Sequence, residues 1–158
     1  MTVPTATLLV HGTTIAFGSR AVLLRGKPGS GKSSLALMLM ETSGTGLGKS
    51  LMTARLVADD QTVLTVKAGK LLATAPPNLQ GLLEVRGIGI VAVDHVAEAE
   101  LALVADLVPS HEISRLPDPA EATTQLLGTS FPRIFLDASL PQSAAHLRLA
   151  FLHHVKKS

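Results

Sequence analysis

The chain opens on short apolar runs set off by small polar residues. Thr7–His11 (TLLVH) and Thr14–Phe17 (TIAF) are rich in β-branched and aliphatic side chains, and Arg20–Arg25 (RAVLLR) follows a Gly18-Ser19 turn. This predicts two or three strands with hairpin punctuation. The character of the chain then changes. Lys32–Glu41 (KSSLALMLME) holds good helix formers and predicts a helix entered from a glycine-rich loop, Gly26–Gly31. Thr42–Ser50 carries three glycines and reads as loop. Ala54–Ala58 is an apolar strand that ends at Asp59-Asp60, and Thr62–Lys67 alternates as a half-buried strand does. Gly69 turns the chain into Lys70–Thr74, and Pro76-Pro77 breaks the regular structure.

The second half continues in the same manner. Leu82–Val93 holds two β-like pieces split by Gly87 and Gly89, and Leu101–Val108 is a buried strand closed by Pro109. Ser110–Glu121, polar and interrupted by Pro117 and Pro119, reads as a loop. Phe131–Leu136 predicts a further strand. Ser143–Lys157 predicts a terminal helix, with Leu147, Phe151 and Val155 on one face at i, i+4 and i+8. His153, His154, Lys156 and Lys157 fill its last turns, where the helix dipole favours cations. The expected fold is α/β, a mixed sheet flanked by helices, in a single domain over residues 1–158.

Composition narrows the chemistry. With 46% hydrophobic and 16% charged residues, the chain is not a disordered one. It has no cysteine, which excludes disulfides, a thiol nucleophile and Cys-ligated metal. It has no Trp or Tyr, which removes stacking platforms for single-stranded nucleic acid. The net charge of +2 is spread thinly, and no basic run exceeds Lys156-Lys157, so nucleic acid is not an expected partner. No apolar stretch approaches the ~20 residues that span a bilayer. The expectation is a cytoplasmic protein without a membrane partner.

The strongest motif is Gly26-Lys27-Pro28-Gly29-Ser30-Gly31-Lys32-Ser33, which matches G-x-x-x-x-G-K-[ST] between a strand and a helix. Glycines let backbone N–H groups approach phosphate oxygens without a Cβ clash, and the helix N-terminus adds positive potential. In this reading Lys32 reaches the β- and γ-phosphates of ATP and the Ser33 hydroxyl ligates Mg²⁺. Gly46-Leu47-Gly48-Lys49-Ser50 imitates the end of the same motif but leads into a strand, so it reads as flexible loop. Asp59-Asp60 ends a strand, the place for a metal-holding or proton-accepting carboxylate. Neighbours on a strand face opposite ways, which predicts different jobs for the two.

Other residues carry weaker signals. Glu84, in E-V-R-G-I-G, is either a second Mg²⁺ ligand or the partner of Arg86 on one strand face. Taken alone, His11 reads as a strand-end residue, Arg115 as a solvated loop arginine, and His153-His154 as helix-end cations. The Thr42–Thr53 segment is long enough to act as a lid over a ligand.

Taken together, His11-Gly12, GKPGSGKS at 26–33, LVADD at 56–60, EVRGIGI at 84–90 and Arg115-Leu116-Pro117 resemble the catalytic domain of the HPr kinase/phosphorylase family. The resemblance covers roughly residues 7–155. It implies a phosphate-loop domain similar to phosphoenolpyruvate carboxykinase, which uses ATP and Mg²⁺ to phosphorylate a serine of the phosphocarrier HPr or its nitrogen-branch homologue. It implies phosphorolysis in the reverse direction and a homo-oligomer, since family members are typically hexamers. By position, His11 matches the active-site histidine, Lys32 the phosphate-loop lysine and Ser33 the Mg²⁺ ligand. Asp60 matches the acceptor of the seryl proton, Glu84 the second Mg²⁺ ligand, and Arg115 the late catalytic arginine. The chain resembles the short forms of alphaproteobacteria, which lack an N-terminal regulatory domain. It carries Ser34 where long forms usually have an acid, and Phe131-Pro132-Arg133 where their Pro-Val-Arg-Pro-Gly-Arg loop lies. Two other expectations stand beside this one: an ATP-binding regulatory module without turnover, and a small-molecule kinase.

Overall fold

The computed structural model describes residues 6–155. Strands β1 (Thr7–His11), β2 (Thr13–Phe17) and β3 (Arg20–Arg25) lead through the glycine loop into helix α1 (Lys32–Glu41). Then come β4 (Ala54–Ala58), β5 (Gln61–Lys67), β6 (Lys70–Thr74), β7 (Leu82–Val85), β8 (Gly89–Ala92) and β9 (Glu98–Leu107). β10 (Thr123–Leu126), β11 (Thr129–Leu136) and α2 (Ser143–Val155) complete the described chain. Lys156 and Lys157, expected at the end of the terminal helix, lie outside the described residues.

The main sheet runs β1-β5-β6-β9-β3-β2-β4, with β11 also paired to β9. β9 lies parallel to β3 and β11, and the other pairings are antiparallel, so the sheet is mixed as expected. β3 and β9 are central, and they and β2 are buried on both faces. Val22 and Leu24 face the helices, while Ala21 and Leu23 face the opposite side. α2 lays Leu147, Phe151 and Val155 on the helix-side core, and Phe151 meets Phe17 edge-on at 5.0 Å between ring centroids.

The sheet order hides a bend. β1 and β2 are separated only by Gly12, and β4 and β5 only by Asp59-Asp60, yet each pair sits at opposite ends of the order. The sheet therefore curls back on itself. The two continuous runs stay in step across the bend, since His11 faces Gln61 and Thr14 faces Ala58. Residues 12–13 thus lie against 59–60 in a crease.

Three expectations are corrected. β9 starts at Glu98 rather than Leu101, because Glu98–Glu100 extends the strand by pairing with β6. β10 was not expected at all: its sequence, TTQL, is short and polar, and it is fixed by pairing with β11. The two-residue turn between them has both φ values positive, at Leu127 (48°) and Gly128 (78°), without the Asn-Gly or Asp-Gly that announces such a turn. Thr42–Thr53 does not close on the glycine loop. It leaves the far end of α1, about 15 Å along the axis from Lys32 at 1.5 Å per residue. There Arg148 donates to Leu39 O (3.1 Å), Thr42 O (2.6 Å) and Met52 O (3.3 Å).

Candidate active site

The glycine loop joins the end of β3 to α1. Gly29 and Gly31 have φ of 82° and 98°, conformations that L side chains rarely adopt. A Cβ on Gly26 would collide with the Ser30 side chain, so the loop can close this tightly only with glycine there. Gly31 caps α1 with no side-chain hydrogen bond, and the first turn of the helix holds no acidic residue. The first N–H groups of the helix are thus left for an anion. The Ser30 hydroxyl is buried in the loop with no partner. Lys32 Nζ donates to Gly26 O (2.8 Å) and Lys27 O (3.2 Å). An ammonium has three N–H donors, so one remains for an outside acceptor.

The crease faces this loop. Ser33 Oγ donates to Asp59 Oδ1 at 2.6 Å, and Thr13 Oγ donates to the same oxygen at 2.9 Å. The other oxygen, Asp59 Oδ2, accepts the Glu84 N–H at 2.9 Å. Glu84 reaches this position because the β7–β8 hairpin buries Leu83 completely in the helix-side core. Asp60 is different. It is exposed, and no hydrogen bond or ion pair engages its carboxylate among the described residues. The two aspartates therefore differ in their partners, and because both lie in the turn between β4 and β5, with Asp60 at φ 65°, the strand alternation expected from the sequence is not what separates them.

Lys32, Ser33, Asp59, Asp60, Glu84 and Arg86 line one cleft of about 360 Å³. Arg86 and Glu84 share it without a salt bridge between them. Lys27 and Pro28 are exposed, and Pro28 also lines the cleft. His11 sits on β1 one residue before the crease, exposed and opposite Gln61. Arg115 is not brought to this cleft. It is exposed and lines a separate pocket with Arg133 and His146. The Gly46–Ser50 imitation of the motif lies against α2, where a Cβ on Gly46 would stand 2.7 Å from Arg148 O.

Near the loop, Ala138 would lie 3.0 Å from a Cβ on Gly31. Beside it Asp137 accepts from Ser110 Oγ, Ser139 Oγ, and the N–H groups of Ser139 and Ser110, at 2.6–3.0 Å. These bonds, the Ser110 hydroxyl's foremost, hold its carboxyl well below the usual carboxylate range.

The donor set suits a magnesium–nucleotide. Mg²⁺ is held by one or two carboxylates together with substrate phosphates and water, and a hydroxyl 2.6 Å from a carboxylate beside an anion-binding loop supplies such a set. Among the described residues no cluster of three or more His, Cys, Asp or Glu offers an all-protein metal cage. Asp59, Thr13 and Arg86 were not singled out individually from the sequence. The Asp doublet and E-V-R spacing signalled two of them, and nothing in the sequence marks a threonine as buried against a carboxylate.

A family model described as the HPr serine kinase C-terminal domain matches residues 4–137. The HPr kinase/phosphorylase of Burkholderia lata is 34% identical over 155 residues, 91% of this chain and 44% of that protein. That of Brevibacillus brevis is 31% identical over 141 residues, 83% of this chain and 42% of that protein. That of Xylella fastidiosa is 44% identical over 94 residues, 59% of this chain and 26% of that protein. The chain thus spans less than half the length of these relatives. The solved HPr(Ser) kinase/phosphatase of Coxiella burnetii matches with a TM-score of 0.76 and 25% identity, over 95% of this chain and 92% of that one.

Proposed function

Because this chain belongs to the HPr serine kinase C-terminal domain family, we propose that it transfers the γ-phosphoryl group of ATP to a serine hydroxyl of the phosphocarrier protein HPr. One observation carries the reading. In a single cleft, Asp59 accepts from Ser33, Thr13 and the Glu84 N–H, while no hydrogen bond or ion pair among the described residues engages the Asp60 carboxylate. A carboxylate fixed beside the loop hydroxyl with a lone pair to spare suits a metal-side role, and an unengaged one suits proton transfer.

The chemistry follows from these positions. The loop N–H groups and the α1 N-terminus receive the β- and γ-phosphates. The remaining Lys32 donor is available to the transferring group. Ser33, Asp59 and Glu84 would hold Mg²⁺, which offsets charge on the β- and γ-oxygens. The seryl oxygen bonds to the γ-phosphorus as the bond to the β–γ bridging oxygen breaks and ADP leaves. Asp60 accepts the seryl proton. In the reverse direction, with inorganic phosphate as acceptor, the same residue returns it. Arg86, inside the cleft, is the arginine this geometry offers to the developing charge, rather than Arg115. Catalysis of this kind rests on positioning and electrostatics.

The test is direct. The protein is mixed with Mg-ATP and purified HPr, and the intact mass of HPr is read. One added phosphate, mapped to serine, is expected, and it should vanish in Lys32→Ala. Asp60→Asn should retain nucleotide affinity and lose at least about 100-fold in transfer. Asn tolerates the positive φ of Asp60, so that variant keeps the turn. Unmodified HPr, with the nitrogen-branch homologue also unmodified and ATP binding shown separately, would leave a binding module without turnover.

A further inference from the structure

One fully buried hydroxyl in the crease stands between the two aspartates. Thr13 Oγ donates to Asp59 Oδ1 at 2.9 Å and accepts the Asp60 N–H at 3.2 Å. Asp60 needs such support. Its φ is 65°, and the Gln61 N–H reaches back to Asp59 O at 2.7 Å. This is a γ-turn of the positive-φ kind, rare and strained, and it persists only where the surroundings over-determine it. The Asp60 carbonyl is held as well, by the Gly12 N–H at 2.8 Å. Gly12 O in turn accepts from Thr62 Oγ at 3.0 Å, and Thr62 Oγ lies 2.8 Å from Thr14 Oγ.

We infer that Thr13 is a positioning residue for phosphoryl transfer: its hydroxyl aims the Asp59 carboxylate at Ser33 and pins the strained Asp60 turn at the cleft. This rests on the reading of Asp60 as proton acceptor. Thr13 touches no nucleotide-binding group, so it acts through the aspartates. A hydrogen bond to an ionised carboxylate is stronger than an ordinary one, and a small misplacement of a reacting group is costly in rate. Thr14 is the natural contrast. It is equally buried and belongs to the same network, but its hydroxyl pairs with Thr62 rather than with either aspartate.

The experiment compares Thr13→Val, which keeps the shape and removes the hydroxyl, with Thr13→Ser, which keeps the hydroxyl. Thr13→Val is expected to lower kcat about 10- to 100-fold with little change in the KM for HPr. Thr13→Ser should restore most of it. Thr14→Val should cost stability without that fall in kcat. A second readout needs no turnover. By NMR hydrogen exchange on the nucleotide-free protein, the Asp60 amide should exchange at least about tenfold faster in Thr13→Val, while β3 amides stay protected. In Thr13→Ser it should remain slow. If the valine chain does not fold, Thr13→Ala repeats the comparison. Unchanged Asp60 protection on loss of the hydroxyl overturns the inference, as does a serine variant as slow in transfer as valine. If the wild-type chain leaves HPr unmodified, the kinase reading falls, and the amide exchange still decides whether Thr13 holds the turn.

Discussion

Hydrogen bonding sorts the carboxylates of this molecule into different kinds. Asp59 is engaged by Thr13, Ser33 and the Glu84 amide, while the Asp60 carboxylate carries no partner among the described residues. Asp137 is filled on both oxygens by Ser110 and Ser139, and its pKa is depressed accordingly. A carboxyl group with a lower pKa folded than unfolded contributes stability above its unfolded pKa and loses it as pH falls through the folded one. Asp137→Asn should therefore be less stable than wild type at pH 7, and the gap should narrow as pH drops below about 4, the ordinary carboxylate value. Urea midpoints measured across that range check it, and a gap of constant size would reject the linkage. The sequence made several of these residues legible. Lys32 and Ser33 sit in a spaced motif, and the Asp doublet ends an apolar strand. Thr13 was not legible, because its role comes from a partner 46 residues away.

Among the elements, α2 and the segment that follows α1 depend on one another. Arg148 is almost wholly buried, and burial lowers its pKa from the usual arginine value. No carboxylate among the described residues forms a salt bridge with it, and its charge rests on carbonyls at the C-terminal end of α1, where the dipole is negative. Arg148→Met should leave those carbonyls unpaired and cost about 1–3 kcal/mol of stability. It should also open residues 42–53 to protease while ATP affinity is unchanged, since that segment lies at the far end of the helix. A large loss of nucleotide affinity would revive the lid that the sequence suggested. Most strands and both helices were readable from runs and periods. What escaped was β10 and the start of β9, polar stretches that become strands only because a neighbour offers a paired edge.

At the scale of the whole molecule, the curl brings β1 beside β5 and β2 beside β4, and so makes the crease. No local pattern announces it, because each strand looks ordinary and only the pairing order reveals the bend. A ligand that binds the folded state alone stabilises the fold by mass action. At one hundred times its Kd, Mg-ATP should add about 2.7 kcal/mol. Thermal melts should shift upward with Mg-ATP, and the Lys32→Ala chain should not respond. An equal shift in that variant would place nucleotide binding elsewhere.

The central strand has a consequence for how the cleft comes to be assembled. β9 borders β3, β6 and β11 at once, yet it is among the last parts of the sheet to be synthesised. Until Leu107 has emerged, β3 lacks its parallel neighbour and the root of the glycine loop is paired on one side only, with β2. The loop, the crease and the hairpin all precede that residue in the chain, and before it they have only their own antiparallel pairings and no central strand to join them. Nucleotide binding by the growing or truncated polypeptide should thus be all-or-none, switching on only with the strand that closes the sheet.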